Sequence, residues 1–344
     1  MHHRLGAATL LAMTALVLSA SAPGARGADL DPCAVAPMRT NQRPGAGGPP
    51  TEVSVGIRMV DLTGVDDVSQ TLTGDFAVFL RWTDPRLAGL DGCEIPLDAI
   101  WTPGIRFINS GRLFTSQAKA VDVGPGGAVQ YLQRYYGSLA TYHNLRQFPF
   151  DEQTFVISLV SFEYGEDEVR LSVNEQATGR RNILNISAWS VTAVEGGTRR
   201  RLIEATNTMA SVYDLRISAN RQRLFYVWKI IVPLCLIVFM SWTVFWVNPA
   251  QFGPQIGLSA TSMLTLIAFQ FATTSMVPEL GYFTILDEFT TGSTIIVFLA
   301  LVQSLTTSYL VSQEREALAL RMDRLSRYVF PLAFLALVLV VFFR

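Results

Sequence analysis

A stripe of small, hydroxylated and apolar residues between positions 257 and 275 is the pattern with the clearest chemistry in this sequence. Its members step by four, three, four, three and four residues, which places them on one face of a helix: Gly257, Thr261, Leu264, Ala268, Phe271 and Ser275. Hydroxyls in an apolar helix can simply bond a neighbouring helix. This order also suits the wall of a water-filled pore with a hydrophobic constriction that closes by dewetting. Because one helix cannot enclose a pore, the pore interpretation requires several copies of the chain.

The sequence gives little support for a catalytic function. Of the three histidines, His2 and His3 lie at the extreme N-terminus, which leaves His143 as the one histidine in the body of the chain. No HExxH or GxSxG motif occurs. The 27 basic and 28 acidic residues balance to a net charge of -1, without the basic excess typical of nucleic-acid binding. We therefore expect no enzyme activity, no metal site, no cofactor and no nucleic-acid partner.

The stripe belongs to an apolar C-terminal part of the chain. Half of all residues are hydrophobic and only 16% are charged, a composition that indicates a membrane protein. Residues 221–344 are predicted to be a transmembrane domain of four helices, at about 225–247, 254–277, 289–311 and 326–343. The connector after the third helix carries four arginines, and the one after the second carries no Lys or Arg. By the positive-inside rule the third connector is cytoplasmic, so both chain ends are predicted to lie outside.

The N-terminus has the form of a targeting segment. Arg4 precedes an apolar run from Leu5 to Ala20, which is short for a membrane span, and small residues follow it. Residues 1–27 are therefore predicted to be a signal peptide, with a first transmembrane helix as the alternative, and residues 28–50 a flexible lead. This predicts a bacterial inner-membrane protein whose N-terminal domain lies in the periplasm. In that oxidising compartment Cys33 and Cys93 can pair, although the sequence alone does not show whether they meet.

Residues 51–220 are predicted to form a β-sandwich. Apolar residues alternate with polar ones, as at Val53, Val55 and Ile57, and Gly- or Pro-containing turns separate many short runs. The predicted fold is thus an all-β extracellular sandwich followed by an all-α four-helix transmembrane bundle.

Several motifs, in order, carry a resemblance to one family. The run FPFDEQ at 148–153 resembles the FPFDxQ loop of pentameric ligand-gated ion channels, the Cys-loop receptor family. WTDPRL at 82–87, WTP at 101–103 and VPELGY at 277–282 are similar to further segments of that family. Thr141 and Phe155 stand where the animal receptors have the loop cysteines, which is the pattern of the prokaryotic branch.

The resemblance implies a homopentamer around a central pore lined by the second helix, with Leu264 as the central gate. It also implies opening by a small agonist or by protons, with permeant inorganic ions and membrane lipid as the other partners. No charge lies at the cytoplasmic mouth, residues 253–256, so selectivity stays open; Glu279 near the outer mouth favours cations. The alternative function is a ligand-sensing membrane receptor without conductance.

The family also implies two groups of site residues. Candidates for the agonist site between subunits are Phe107, Tyr131, Phe162, Glu163 and Tyr164. Candidates for coupling the outer domain to the pore are Asp66, Asp67, Arg146, Phe148, Pro149, Phe150, Asp151, Arg221, Pro278, Glu279 and Tyr282. Among these, we expect Asp151 and Arg221 to form a partly buried ion pair.

Overall fold

The computed structural model describes residues 33, 42–116, 120–204, 207–274 and 279–343. The predicted signal peptide, most of the predicted lead, Ser275 and Pro278 lie outside these residues. The described end of the predicted lead is residues 42–50. It forms turns in which the Arg43 guanidinium donates to the carbonyl oxygens of Gly48 and Pro49, at 3.1 and 2.6 Å.

Twelve strands in the described residues build the N-terminal domain. They are β1 (Thr51–Asp66), β2 (Thr71–Thr83), β3 (Glu94–Pro96), β4 (Ile105–Phe107), β5 (Ser110–Ser116), β6 (Ala120–Gly124), β7 (Ala128–Ala140), β8 (Glu152–Ser161), β9 (Val169–Val173), β10 (Gly179–Arg180), β11 (Trp189–Ile203) and β12 (Thr208–Arg221). One sheet has the order β10-β1-β2-β7-β6-β3, with β5 added to β7 and β9 to β1. The second sheet has the order β11-β12-β8-β4.

The two sheets pack face to face as a sandwich. Alternate residues of β1, such as Val53, Val55 and Ile57, are fully buried, and they meet Phe155 of β8 and Leu215 of β12 in one hydrophobic core. This alternation is what a period of two residues produces when one face of a strand is covered. A disulfide joins Cys33 to Cys93, with the two Cα atoms 5.5 Å apart.

Four helices follow: α1 (Arg223–Trp246), α2 (Phe252–Thr274), α3 (Ile285–Ser312) and α4 (Glu316–Phe342). Each is long and apolar enough to cross a membrane. α2 packs on α1 and α3, whereas α4 packs on α3 and on the inner end of α1. One long face of α2 is therefore uncovered by the rest of the chain.

All four helices begin before the predicted residue, α1 and α2 by two residues each and α3 and α4 by more, because the predicted bounds followed hydrophobicity alone. α3 begins at Ile285, four residues early, where Thr284 and Asp287 form a reciprocal capping box. α4 begins at Glu316 rather than at 326, so residues 313–315 alone separate it from α3. The charged start of α4 is amphipathic, and it buries Ala319, Asp323 and Ser326 at helical spacing.

Candidate functional site

The uncovered face of α2 carries the stripe noted in the sequence. The buried residues of this helix, Gln255, Ser259, Ser262 and Leu266, face the bundle. On the opposite side Gly257, Thr261, Leu264, Ala268 and Phe271 are all exposed, and Leu264 and Phe271 keep 67% and 78% of their surface accessible. A large apolar side chain exposed between small and hydroxylated residues indicates a face that other copies of the chain complete.

Polar contacts fix the rotation of α2 within the bundle. At the inner end Ser308 of α3 donates to the side-chain oxygen of Gln255 at 2.7 Å, and at the outer end the Gln270 amide donates to Thr294 at 2.6 Å. The Thr261 hydroxyl donates to the Gly257 carbonyl at 2.7 Å. Its proton is thus used within the helix, and its oxygen stays available as an acceptor on the exposed face.

The charged residues in the connector after α2 and at the start of α3 are all negative. No Lys or Arg occurs from position 230 to position 314, whereas Glu279, Asp287 and Glu288 lie between α2 and the first turn of α3. Asp287 caps α3 and stabilises the positive end of that helix. Glu279 is exposed and free of such a role. Fields from carboxylates at a pore mouth raise the local concentration of cations.

Arg221, the last residue of β12, is the centre of the junction between the two domains. Its guanidinium makes paired hydrogen bonds to Asp151, at 2.7 and 3.1 Å, and to Asp67, at 2.7 and 3.0 Å. Arg221 is 4% exposed and Asp151 is 3% exposed. The rings of Trp189 and Phe148 flank the guanidinium, with centroids 4.2 and 4.8 Å from Cζ. The sequence led to the pair with Asp151, and the structure adds Asp67 to it.

The electrostatics of this junction favour the charged forms of Arg221 and Asp67. Burial by itself lowers the pKa of the Arg221 guanidinium, but the hydrogen bonds and charges of Asp151 and Asp67 outweigh it, so this pKa lies above its ordinary value. Burial raises the pKa of Asp67, but hydrogen bonds from His143 and Arg221 and their charges leave this pKa below its ordinary value. The junction is therefore a buried arrangement of one cation between two carboxylates.

The loop at residues 144–151 anchors the β-sandwich in the helices. Phe148 is fully buried beside Ile230 of α1 and Leu286 of α3. The backbone N–H groups of Ile285 and Leu286 donate to the carbonyl oxygens of Arg146 and Phe148, at 3.1 and 3.3 Å. These contacts satisfy donors at the start of α3 that have no partner within the helix. A displacement of the loop must therefore move α3.

The other residues predicted for the loop lie around this anchor. The peptide bond between Phe148 and Pro149 is cis. Phe150 packs edge-on against Phe342 at the end of α4, with ring centroids 5.6 Å apart. Arg146 lies over the ring of Tyr282 at 4.6 Å, and the Tyr282 hydroxyl accepts from the N–H of Leu145 at 3.1 Å.

The turn between β1 and β2 separates the two aspartates that the sequence grouped together. Asp66 does not join the Arg221 network: its carboxylate accepts from the backbone N–H groups of Val68 and Ser69 and so caps its own turn. Val68, at the tip of this turn, lines a cavity of about 670 Å³ together with Gln270 and Glu279 at the outer end of α2. The turn thus contacts the Arg221 junction through Asp67, and across this cavity it faces the helix that bears the stripe.

The predicted agonist residues line several adjoining cavities rather than one. Phe107 is buried and packs edge-on against Tyr135, with centroids 4.9 Å apart, as a strand residue in the core does. Phe162, Glu163 and Tyr164 line a small cavity of about 160 Å³ beneath the hairpin of β11 and β12. Tyr131 does not line this cavity, but it lines a neighbouring cavity of about 190 Å³ together with Glu163. Phe107 and Phe162 line another cavity, of about 460 Å³.

The sequence did not predict two ion pairs of this hairpin or one contact at the junction. Arg199 pairs with the buried Asp214, and Arg200 donates to Glu166 at 2.6 Å, so these two charges are used within the chain. His143 is fully buried and contacts Asp67 in the junction. Its position two residues after Thr141, in the segment that leads into the FPFD loop, was the one available signal.

Comparisons with known proteins match both parts of the chain. The family model for the neurotransmitter-gated ion-channel ligand binding domain matches residues 36–222, which is more than half of the chain. The model for the neurotransmitter-gated ion-channel transmembrane region matches residues 230–321. A protein of Gloeobacter violaceus described as a proton-gated ion channel is 26% identical over 292 residues, which cover 83% of this chain and 81% of that relative.

Proposed function

We propose, from the premise that this chain belongs to the neurotransmitter-gated, or pentameric ligand-gated, ion-channel family, that five copies form a channel for small inorganic cations. The family makes it an integral membrane protein with an extracellular ligand-binding domain, and not an enzyme. α2 of each subunit lines the pore. An agonist or protons act on the β-sandwich, and this action opens the pore.

The observation that carries this proposal is the exposed stripe on α2. A helix that faced lipid with this side would gain nothing from Gly257 and Thr261 there, and one buried in a bundle would not leave Leu264 exposed. Five such faces around an axis line a water-filled path with hydroxyl oxygens at the inner part. Leu264 then forms a ring narrow and apolar enough to exclude water when the channel is closed.

The remaining parts of the proposal concern ion selectivity, transmission to the pore and the location of the protein. Cation selectivity is supported by Glu279 and the absence of basic residues from 230 to 314. Transmission from the β-sandwich is supported by Phe148 and Arg221, which tie the outer domain to α1 and α3. The protein lies in the inner membrane of a bacterium, with the β-sandwich in the periplasm and both termini outside.

Two measurements on the purified full chain test conduction and assembly. In planar bilayers with a tenfold KCl gradient we expect single-channel currents that reverse near the potassium equilibrium potential. Glu279→Gln is expected to lower the cation preference. Native mass spectrometry in detergent should show a pentamer. A protein that binds ligands but passes no current across pH 4–8 would be a receptor without conductance, and a stable dimer as the largest species would exclude this pore.

The first residue-level prediction concerns Leu264. Leu264→Thr removes apolar surface from the constriction and adds a hydroxyl, so it wets the closed pore and raises the resting conductance. Leu335→Thr on α4 is the matched control, because it makes the same change at an exposed leucine away from the stripe. Equal resting currents in both variants would show that Leu264 does not face the conduction path.

A further inference from the structure

His143 is a titratable residue at the junction that takes part in none of the hydrogen bonds of Arg221. The side chain is 0% exposed. Its Nδ1 lies 3.1 Å from Asp67 Oδ1, and its Nε2 lies 2.9 Å from the Thr141 hydroxyl. The ring packs edge-on against Phe155 of β8, with centroids 5.1 Å apart. With a proton on Nδ1, the neutral ring donates to Asp67 and accepts from Thr141.

The charges at this junction do not balance when His143 is neutral. Arg221 supplies one positive charge, and Asp67 and Asp151 supply two negative charges, which leaves an excess of one negative charge in a buried place. Arg221 and His143 both donate to Asp67 Oδ1, at 3.0 and 3.1 Å. A proton on Nε2 of His143 would bring the four groups to zero net charge, and an excess charge in a low-dielectric site favours such uptake.

The groups that face His143 come from three elements. The turn between β1 and β2 contributes Asp67, its own segment contributes the neutral Thr141, and β8 contributes the ring of Phe155. The Asp67 carboxylate has a pKa below its ordinary value, so it stays charged above about pH 4. Arginine keeps its proton throughout this range. Imidazole is the side chain whose charge normally changes between about pH 5 and 8.

We propose that His143 is a proton-binding site that couples external pH to the pore through Asp67 and Arg221. This inference rests on the proposed channel function and specifies one ligand, the proton, and the atom that receives it, Nε2 of His143. The protonated ring donates to Thr141 and holds Asp67 by a charge-assisted bond. That bond tightens the turn between β1 and β2 against the loop 144–151. Because the same turn presents Val68 to the cavity that Gln270 at the outer end of α2 also lines, we expect protonation to favour the conducting state.

The electrical test compares currents of the full chain in bilayers from pH 8 to pH 4. We expect acid to activate the wild type. His143→Gln, which is polar and cannot become charged, should need roughly tenfold more protons for half-activation, a shift of about one pH unit. Tyr142→Phe, at an exposed neighbour in the same segment, should keep the wild-type curve. A His143→Gln curve that overlies the wild-type curve would overturn the proposal.

A spectroscopic test separates this inference from conduction itself. The full chain contains three histidines, so protein labelled with ¹⁵N only at histidine gives few imidazole signals in solid-state NMR of the lipid-reconstituted channel. His2 and His3 lie in the predicted signal peptide, which is removed from the mature protein, so the signal that remains is that of His143, and it is the one lost in His143→Gln. We expect this signal to change protonation state between pH 8 and 4. A single state throughout would overturn the proton site even if the channel conducts. Titration of His143 without any current would instead refute the channel function.

Discussion

Removal of the Arg221 guanidinium by Arg221→Ala is the sharpest perturbation of the junction. Four hydrogen bonds to two carboxylates are lost at once, at 2.7–3.1 Å. Asp151 is 3% exposed and then carries an uncompensated buried charge. Breaking a buried pair in this way typically costs about 3–5 kcal/mol. At about 2–4 °C per kcal/mol for a unit of 150–250 residues, the apparent melting temperature should fall by roughly 6–20 °C.

The assay is the thermal loss of the pentamer on size-exclusion chromatography, and a double-mutant cycle isolates the pair. Asp151→Asn neutralises the stranded carboxylate, so in the Arg221→Ala background it should cost less than it does alone. We expect a coupling of about 0.5–3 kcal/mol between the two sites. Arg134→Ala, which breaks an exposed pair with Asp75, is the matched control and should leave the melting temperature nearly unchanged. Strictly additive effects of Arg221→Ala and Asp151→Asn would refute a direct interaction.

The effect of pH on the same variant follows from the direction of the Asp67 pKa. A folded-state pKa below the unfolded value means that the stabilisation is present above about pH 4 and is lost as pH falls through the lowered pKa. The difference in melting temperature between wild type and Arg221→Ala should therefore shrink below about pH 4. If the difference in melting temperature instead became larger below about pH 4, Asp67 and Asp151 would not be the partners of Arg221.

Two further predictions concern stability. Cys33→Ser removes a cross-link between residues 60 apart in sequence, which should lower the free energy of unfolding by roughly 4 kcal/mol and so lower the apparent melting temperature. Cys235→Ser, at a free thiol, is the control. Equal effects of the two substitutions would mean that the disulfide does not form in the protein. Asp323→Asn should raise the melting temperature, because Asp323 is 1% exposed and, although Gln303 and Thr307 lie near its carboxylate, neither oxygen has a hydrogen bond of normal geometry among the described residues. A large decrease would show that this charge is needed in the folded state.

The sequence alone determined the features that follow from a fixed repeat along the chain. The spacing of Gly257, Thr261 and Leu264 could be placed on one helix face because an α-helix turns every 3.6 residues wherever it occurs. The alternation at Val53, Val55 and Ile57 predicted a half-buried strand for the same kind of reason. The lengths of the apolar segments predicted four membrane spans, although not where α3 and α4 begin, since caps and amphipathic charged turns extend a helix beyond its apolar part.

The tertiary structure alone decided which polar groups meet. Asp66 and Asp67 are adjacent in sequence and equally acidic, yet one caps its own turn and the other binds Arg221, because the turn directs their side chains to different places. His143 reads as an isolated histidine until the fold brings Asp67, 76 residues away, to its ring. Burial and pairing depend on groups that are distant along the chain. No local repeat encodes them, and they give the junction its excess negative charge.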